Sequence, residues 1–268
     1  MTGISVIVPT FNSQRTILNC LRSIGDQTTR CSKVIVVDRF SRDETVKMAN
    51  SCGATIISSP ANRSGARNLG ATASDSSAVL FIDSDMILPR TLIEECEEGL
   101  RTHSALIIPE DSVGSGFWAA CKSIERHSYR NNDLIEAARC FKRNVYSDLG
   151  GYDSALEAGE DWDLHSRARN AGVEIGRVKS AILHDEGDLK LLALIRKKFA
   201  YGRTMGEYLK LNPVAGINQL NPVSRVLGTS IKIIPSDPKH GAGFLVLKTL
   251  EFAAAGAGHL TRGRRYRS

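Results

Sequence analysis

Four mostly apolar runs, separated by polar segments, divide the first part of the chain. They are Ile4–Val8, Val34–Val37, Ala54–Ile57 and Val79–Ile82. Runs of this length are typical of strands that are buried on both faces of a parallel sheet. The segments between them predict helices from Ser13 to about Gly25, from about Asp43 to Ser51, and beginning near Asn62. This alternation predicts an α/β fold with a parallel, doubly wound sheet.

The fourth run ends in an Asp-x-Asp sequence, Asp83-Ser84-Asp85, and Met86–Pro89 leads on to a helix. Open α/β sheets bind their ligands at the carboxyl ends of the strands. Because side chains alternate along an extended chain, Asp83 and Asp85 are expected on the same side, where they can share one divalent cation or ligand. The alternative interpretation is an acidic turn that caps the next helix.

Two nucleotide-binding patterns are missing from the sequence. No Gly-x-Gly-x-x-Gly follows the first strand, and no Gly-x-x-x-x-Gly-Lys-Ser/Thr occurs in the chain. A dinucleotide dehydrogenase or a P-loop nucleotidase therefore lacks its usual sequence support. The second strand ends in Asp38 instead, and a carboxylate at such an edge accepts hydrogen bonds from a nucleobase N–H or from ribose hydroxyls.

Several segments between Ser5 and Gly187 form an ordered set of motifs. They are Ser5–Asn12, Val36–Thr45, Gly65–Gly70, Phe81–Asp85, Gly150–Asp153, Gly159–Leu164 and His184–Gly187. In this order and at this spacing they resemble the family 2 glycosyltransferases of GT-A fold, over about residues 3 to 205. Arg39 and Ser13 depart from the pattern, because many members carry a second acid or Asn, and a Glu, at these two places.

The resemblance implies a GT-A catalytic domain, in which a mostly parallel central sheet is flanked by helices. We expect this domain at residues 1–188, with a nucleotide-sugar half at 1–100 and an acceptor and catalytic half at 101–188. The implied activity is metal-dependent, inverting transfer from a UDP- or GDP-sugar. The implied donor-binding residues are Pro9, Thr10, Phe11, Asp38, Arg63, Gly65, Arg67, Asp83, Ser84 and Asp85.

A divalent cation on the donor diphosphate is the implied cofactor, because it would act there as a Lewis acid. By resemblance Asp85 ligates this cation, Asp83 contacts the ribose or the water shell of the cation, and His184 is the candidate further ligand. Such a set suits Mn²⁺ or Mg²⁺, and the imidazole favours Mn²⁺ slightly. His184 precedes a predicted acidic turn that would orient its ring. A single histidine is otherwise an ordinary core or surface residue.

The acids at Glu160-Asp161 precede a predicted helix, Asp163–Ala171, which Gly172 closes. The resemblance makes Asp161 the general base that deprotonates the acceptor hydroxyl, with Glu160 as the alternate. Glu160 and Asp163 would raise its basicity by repulsion. Acids at a helix start also simply favour the helix dipole.

Two further residues have open roles. Arg67 suits either the donor diphosphate or an ion pair with an acid at the sheet edge. Trp162 suits either an acceptor platform or buried packing.

Charge divides the 268 residues unequally. From Lys190 to the end there are 14 Lys or Arg and 3 Asp or Glu, whereas residues 1–189 hold 21 basic and 26 acidic residues. We expect residues 189–268 to form a helical extension, with an amphipathic helix at Leu191–Arg203, an apolar stretch at Phe244–Leu260 and a basic end at Arg262–Arg267. Such segments suit an anionic membrane surface. The alternative is that they pack on the catalytic domain or on a second subunit in a homodimer.

The cellular location is predicted from cysteine usage and from missing segments. The six cysteines are widely spread without zinc spacing, which predicts buried, reduced thiols in the cytosol. A strand follows the amino terminus at once, so we expect no signal peptide. Because no uninterrupted apolar run reaches about 18 residues, we also expect no membrane-spanning helix. We therefore expect a cytoplasmic protein that is peripheral to the inner face of the cell membrane and glycosylates a lipid-linked or polysaccharide acceptor.

Two other functions are weighed against this one. A sugar-nucleotide pyrophosphorylase has a similar sheet, but it normally carries a glycine-rich basic loop after the first strand, where Pro9–Asn12 stands here. A nucleic-acid-binding protein would use the basic end, but no recognition helix or aromatic platform supports it. We expect no nucleic-acid partner.

Overall fold

The computed structural model describes residues 3–133, 135–221 and 237–261, and it confirms the predicted α/β fold with a mostly parallel sheet. The chain divides into two compact units. The first consists of residues up to Pro109, Glu136–Ser154 and Glu160–Asp185, and the second of Glu110–Ile135, Ala155–Gly159 and the described residues from Glu186 onward. Residues 110–135 thus group with the carboxyl-terminal helices, and the boundary at residue 188 stays a prediction.

The structure contains ten strands in the described residues. They are β1 (Ile4–Thr10), β2 (Lys33–Asp38), β3 (Thr55–Ser58), β4 (Ala78–Phe81), β5 (Met86–Ile87), β6 (Ala105–Ile107), β7 (Glu110–Ser115), β8 (Ala138–Lys142), β9 (Ile175–Arg177) and β10 (Ile182–Asp188). Seven of them form the sheet of the first unit, in the order β3-β2-β1-β4-β8-β6-β9. All neighbours pair in parallel except β8, which is antiparallel to both β4 and β6. The strand predicted to carry the Asp-x-Asp sequence therefore lies at the centre.

Ten helices are present in the same ranges of the chain. They are α1 (Ile17–Gly25), α2 (Thr45–Ser51), α3 (Arg63–Thr72), α4 (Leu92–Gly99), α5 (Phe117–Ser128), α6 (Arg143–Asp148), α7 (Glu160–Asn170), α8 (Leu191–Leu211), α9 (Pro213–Leu220) and α10 (Pro238–Leu260). None of the described helices is both long enough and apolar enough to cross a membrane. The basic segment Arg262–Arg267 lies outside the described residues.

The central strand β4 is buried along its whole length, as its apolar run predicts. Leu80 faces one apolar core together with residues of β1, β2, α1 and α4. Val79 and Phe81 face the other core, against Ile7 and Phe141. Alternate side chains of the strand thus enter two different cores, so a one-residue shift in register would exchange the side chains that each core receives. The following Asp-x-Asp sequence is held in place by this register.

Three local predictions about element ends are wrong. Helix α7 begins at Glu160 rather than at Asp163, so Glu160 and Asp161 lie within its first turn instead of before it. Ser13 does not cap a helix, because α1 begins at Ile17 and the Ser13 carbonyl accepts the amides of Thr16 and Ile17 in a preceding turn. The sequence also predicts an acidic turn after His184, but β10 continues through it to Asp188. Within the first unit, Leu183 and His184 pair with β5, so the backbone of this strand is held extended.

The second unit is built around α5, α8 and α10. Helices α8 and α10 cross so closely that a Cβ atom on Gly202 would lie 2.0 Å from the Ala255 carbonyl oxygen. Helix α10 also packs on α5, where Phe244 and Leu247 join a buried apolar cluster. Helices α8 and α10 therefore pack within this unit, as the packing alternative expects for them, and membrane contact of the extension stays a prediction.

The cysteines are free thiols, but they are not all buried as predicted. Cys20, Cys96, Cys121 and Cys140 are buried, Cys31 is half-buried and Cys52 is exposed.

Candidate active site

The Asp-x-Asp sequence leaves the carboxyl end of β4, and its two carboxylates have different protein partners. Asp83 binds Arg67, with 2.8 Å between Oδ1 and Nη2. Asp85 lies beside His184, with 3.1 Å between Oδ2 and Nε2. Among the described residues the two carboxylates thus make separate contacts, Asp83 with an arginine and Asp85 with a histidine. A cation or ligand shared by both stays a prediction. Asp85, whose side chain is 40% exposed, is the more accessible of the two.

Asp83 is held in its ionised form by several arginines. In addition to Arg67, the Arg139 Nη1 atom lies 3.7 Å from Asp83 Oδ2. Burial alone would raise the pKa of Asp83, but Arg67, Arg139 and Arg63 outweigh burial and hold this pKa well below its ordinary range. The ribose or water-shell contact of Asp83 stays a prediction.

Arg67 is completely buried and links β4 to α7. Its Nη1 atom lies 2.8 Å from Asp161 Oδ1 and 3.3 Å from Glu160 Oε1, while Nη2 binds Asp83. Burial opposes its charge, but Asp161, Asp83 and Glu160 outweigh burial and keep the pKa of Arg67 well above its ordinary value. The structure thus forms the ion pair with a sheet-edge acid that was one of the two alternatives for Arg67. A contact with the donor diphosphate stays a prediction.

Three acids occupy the first turn of α7. Glu160 binds Arg63 at 2.5 Å and Asp163 binds Arg167 at 2.8 Å. Burial, followed by the nearby Asp161, raises the pKa of Glu160. The side chain of Asp161 is 27% exposed, against 3% for Glu160 and 5% for Asp163. Asp161 is therefore the carboxylate of this turn that a substrate could reach, and each neighbouring acid is offset by an arginine.

Asp38 follows β2, as predicted, but it is only 1% exposed. Its Oδ1 atom accepts from the Thr10 hydroxyl at 3.0 Å and the Ser41 hydroxyl at 2.6 Å, and its Oδ2 atom accepts from the Ser41 amide at 2.8 Å. The carboxylate therefore fixes the loops that follow β1 and β2. Its predicted contact with a nucleobase remains a prediction.

Two aromatic rings lie on these same loops. Phe11 and Phe40 are each 57% exposed. Phe40 has a φ of 56°, and Asn12 has a φ of 48°. The left-handed region costs a residue other than glycine about 1 kcal/mol or more. The Asn12 amide donates to the Ser41 hydroxyl at 2.8 Å, which ties the two loops together and helps to maintain these conformations.

The other predicted donor residues lie in the same unit. The Gly65 amide donates to the Asn62 side chain, which caps α3, at 3.0 Å. The Ser84 hydroxyl donates to the Ser13 hydroxyl at 2.8 Å. Pro9 is buried at the end of β1, the Arg63 side chain is 42% exposed, and Trp162 is half-buried on α7. The structure thus gathers Arg63, Arg67, Asp83, Glu160 and Asp161 into one cluster, and it places Asp85 with His184 and Asp38 with Thr10.

The protein ligands that this site offers to a divalent cation are the carboxylate of Asp85 and the imidazole of His184. Within residues 3–133, 135–221 and 237–261, no group of three or more His, Cys, Asp or Glu side chains is arranged to hold a metal ion. Asp85 and His184 offer oxygen and nitrogen atoms that suit Mn²⁺ or Mg²⁺. They fit a cation that takes its remaining ligands from a diphosphate and from water.

Sequence reasoning missed four residues of this site, which are Asn68, Arg139, Tyr146 and Tyr152. Arg139 lies on β8, a strand that the sequence did not predict. Asn68 accepts hydrogen bonds from the Tyr146 hydroxyl at 2.5 Å and the Tyr152 amide at 2.9 Å, and it donates to the Tyr152 carbonyl at 2.8 Å. Asn68 and Tyr152 belong to two of the recognised motifs, so motif membership could have identified them.

Comparison with known families gives one extended match. Residues 5–143 match the family described as Glycosyl transferase family 2. The matched region includes β1 to β8 and the Asp-x-Asp sequence. The match ends before α7, which carries Asp161.

Curated relatives are similar over most of the chain. An uncharacterized glycosyltransferase of Haemophilus influenzae is 28% identical over 60% of this chain and 60% of its own length. An O-antigen chain rhamnosyltransferase of Salmonella typhimurium is 24% identical over 67% of this chain and 65% of its own length. A PGL/p-HBAD biosynthesis glycosyltransferase of Mycobacterium tuberculosis is 25% identical over 61% of this chain. The chain thus spans roughly three fifths to two thirds of the length of these relatives.

Solved structures share the fold. The mannosyltransferase PcManGT of Pyrobaculum calidifontis, solved with GDP-Man and Mn²⁺, superimposes with a TM-score of 0.65 at 16% identity, over 96% of this chain and 86% of that chain. TarS 1-349 of S. aureus, solved with UDP-GlcNAc, gives a TM-score of 0.59 at 18% identity, over 99% of this chain and 93% of that chain. These likenesses confirm the predicted GT-A fold class.

Proposed function

We propose that this chain, which belongs to glycosyl transferase family 2, moves a sugar from a nucleotide-sugar donor to a lipid-linked or polysaccharide acceptor. The transfer is metal-dependent and inverting. The observation that carries this proposal is the arrangement at the end of β4, where Asp85 faces His184 and Asp83 is tied through Arg67 to Asp161. The end of β4 thus brings together a partly exposed acid for the acceptor, Asp161, and a pair of metal ligands for the donor, Asp85 and His184.

The donor class is supported by the solved neighbours, which are described with UDP-GlcNAc and with GDP-Man. In this chain Asp85 and His184 would hold Mn²⁺ or Mg²⁺ against the donor diphosphate. When bound, the cation supplies Lewis-acid stabilisation of the departing nucleoside diphosphate. The exposed rings of Phe11 and Phe40 lie on the loops that Asp38 fixes, and we assign these loops to the nucleoside.

Asp161 is the proposed general base. Inverting transfer needs one group that removes the proton from the acceptor hydroxyl as this oxygen attacks the anomeric carbon. Asp161 has the exposure that this role requires, and Arg67 Nη1 fixes one of its oxygens at 2.8 Å. Arg67 therefore positions the base, and Glu160, buried between Arg63 and Arg67, supports Arg67 rather than meeting the acceptor.

The acceptor class rests on the relatives. Those described as O-antigen chain rhamnosyltransferase and as PGL/p-HBAD biosynthesis glycosyltransferase support a polysaccharide or lipid-linked acceptor. We further propose that the protein works at the cytoplasmic face of the membrane. Exposed apolar side chains near the end of α8 and on α9, together with the basic carboxyl-terminal segment, support this location. Membership of glycosyl transferase family 2 argues against the two alternative functions, a pyrophosphorylase and a nucleic-acid-binding protein.

Metal-dependent thermal stabilisation by a panel of UDP-, GDP- and dTDP-sugars tests the proposal. A ligand that binds the folded state raises the melting temperature, so the correct donor is expected to do so with Mn²⁺ or Mg²⁺ and to lose the effect in EDTA. Asp85→Asn is expected to abolish the stabilisation with little effect on the melting temperature of the protein alone. Asp75→Asn, which changes an exposed acid of the same unit, is the matched control. Stabilisation that is indifferent to EDTA and to Asp85→Asn would contradict the metal role.

A further inference from the structure

The hydroxyl of Tyr152 is a buried hydrogen-bond donor without a partner in the described part of the chain. Tyr152 is 1% exposed. A buried polar group that lacks a partner destabilises the folded state, and such groups are uncommon in native proteins. A phenylalanine at this position would avoid that penalty. The hydroxyl therefore needs an explanation outside the folding of the protein.

Packing does not explain the hydroxyl, because only the ring and the backbone of Tyr152 make the observed contacts. The ring meets Phe81 edge-to-face at 5.1 Å between centroids. The Arg67 Cζ atom lies 4.8 Å from the ring centroid. Asn68 binds both the amide and the carbonyl of Tyr152. Phenylalanine would keep all these contacts, which hold the ring rigidly in the active-site cluster.

The charged groups around Tyr152 are those of the proposed reaction. Burial, and after it Asp161, raises the pKa of Tyr152 well above its ordinary value, while Arg67 and Arg139 oppose this effect. The hydroxyl is therefore a neutral donor near the proposed base. A second buried donor without a partner in the described residues, Arg67 Nε, belongs to the same cluster.

We infer that the Tyr152 hydroxyl donates a hydrogen bond to a hydroxyl oxygen of the substrate during sugar transfer. This inference rests on the proposed function. A saccharide offers hydroxyl oxygens as acceptors both on the transferred sugar and on the acceptor. Since the Tyr152 hydroxyl is buried, substrate must displace a neighbouring side chain to reach it.

Tyr152→Phe tests this inference because it removes one oxygen atom and keeps the ring. We expect the melting temperature of the variant alone to equal or exceed that of the wild type, since an unsatisfied donor has been removed. We expect kcat/KM to fall by about 3- to 10-fold, as for the loss of one hydrogen bond. Loss of affinity for the nucleotide sugar but not for the nucleoside diphosphate would place the contact on the donor sugar. A raised KM for the acceptor alone would place it on the acceptor.

Tyr129→Phe is the matched control, because the buried Tyr129 hydroxyl already donates to Glu125 at 2.9 Å in the second unit. This control is expected to melt earlier and to keep its donor affinity and turnover. The inference is overturned if Tyr152→Phe melts earlier with unchanged kinetics, or if neither property changes. A wild-type protein that transfers no sugar would refute the proposed function instead, and the melting comparison would still report whether the Tyr152 hydroxyl is satisfied.

Discussion

Single residues of this site have roles that depend on which charges surround them. Asp83, Glu160 and Asp161 converge on the guanidinium of Arg67, and only Asp161 keeps a substantial exposed fraction. A buried arginine that pairs with several carboxylates lets these acids remain close together without strong repulsion. All three carboxylates therefore pair with Arg67, catalysis is assigned to Asp161, and the donor contact of Asp83 stays a prediction.

Asp161→Asn is predicted to slow turnover by roughly 10² to 10⁴ while donor affinity stays nearly unchanged. The amide keeps an oxygen that accepts from Arg67, so the cluster is preserved, but it cannot take the acceptor proton. Single-turnover rates and nucleotide-sugar binding measured on the same preparation check this outcome. Asp75→Asn again serves as the control and is expected to behave as the wild type. Equal losses of affinity and turnover in Asp161→Asn would show that Asp161 only maintains the site.

Some residues of the site could be identified from the sequence, whereas the ion pairs between them could not. Asp83, Asp85, Asp161 and His184 stand in recognisable motifs, and the structure places them around one strand end. The use of Arg67 as an ion-pair centre could not be decided from sequence, because a guanidinium binds both diphosphates and carboxylates. Arg139 carried no signal, since its contact with Asp83 arises from the antiparallel pairing of β8 with β4.

At the scale of elements, apolar patterns predicted the long buried strands and failed for contacts between distant helices. Lys248 and Glu251 are charged residues that interrupt the apolar stretch of α10. They are nevertheless only 2% and 3% exposed. Lys248 binds Glu125 of α5 at 2.6 Å and Glu251 at 2.7 Å. The pairing residue lies more than a hundred positions away, so no local pattern could reveal this buried charge cluster.

The charge cluster gives the second unit a predictable pH dependence through Lys198 of α8. Burial and then the nearby Lys122 lower the pKa of Lys198 to about 7, with Lys248 adding to the effect and Glu251 and Glu125 opposing it. An unfolded lysine titrates near pH 10.4. Between about pH 7 and pH 10 the unfolded state therefore binds more protons, and folding stability rises with pH through this group. The effect is reduced because the side chain is 26% exposed.

Lys198→Met is predicted to isolate this effect. Urea unfolding of both proteins from pH 6 to pH 10 should show the wild type gaining stability relative to the variant as pH rises. Lys210→Met is the control, because the Lys210 side chain is 67% exposed and pairs only loosely with Glu207 at 3.4 Å. Its stability difference from the wild type should stay flat up to about pH 9. A flat difference for Lys198→Met would mean that Lys198 keeps an ordinary pKa in the folded protein.

At the scale of the whole molecule, the order and spacing of the motifs were enough to predict the fold and the family. Three of the motifs, Ser5–Asn12, Val36–Thr45 and Phe81–Asp85, contain the ends of the neighbouring parallel strands β1, β2 and β4. The partner of the carboxyl-terminal helices was not predictable. Amphipathic helices with basic residues suit a bilayer and a protein surface alike. In the structure, α10 uses its buried side to pack on α5 and α8. A truncation before α10 is therefore expected to expose the cluster around Glu125 and to destabilise the second unit, which makes truncation a poor test of membrane binding.

Exposed apolar residues provide a better test of the proposed membrane surface. Leu211 at the end of α8 is 58% exposed, and Val214 and Ile217 on α9 are 74% and 68% exposed. Val214 and Ile217 are three positions apart and lie on one face of α9. Burying such side chains in the headgroup region favours binding through their apolar area, and nearby lysines and arginines add about 1 kcal/mol each on an anionic surface.

The triple variant Leu211→Ser, Val214→Ser and Ile217→Ser is predicted to bind vesicles of phosphatidylglycerol and phosphatidylcholine at least roughly 10-fold more weakly than the wild type. Its melting temperature should remain close to that of the wild type, because the exposed side chains contribute little to the core.

Deleting residues 262–268 removes four arginines and should weaken binding mainly at low salt, since screening already suppresses that attraction at high salt. Leu69→Ser, which changes an exposed leucine of the first unit, should leave vesicle binding intact. A wild-type protein that ignores these vesicles at low salt, or a triple variant that binds them as the wild type does, would remove α9 from the membrane and leave its apolar face to a second subunit.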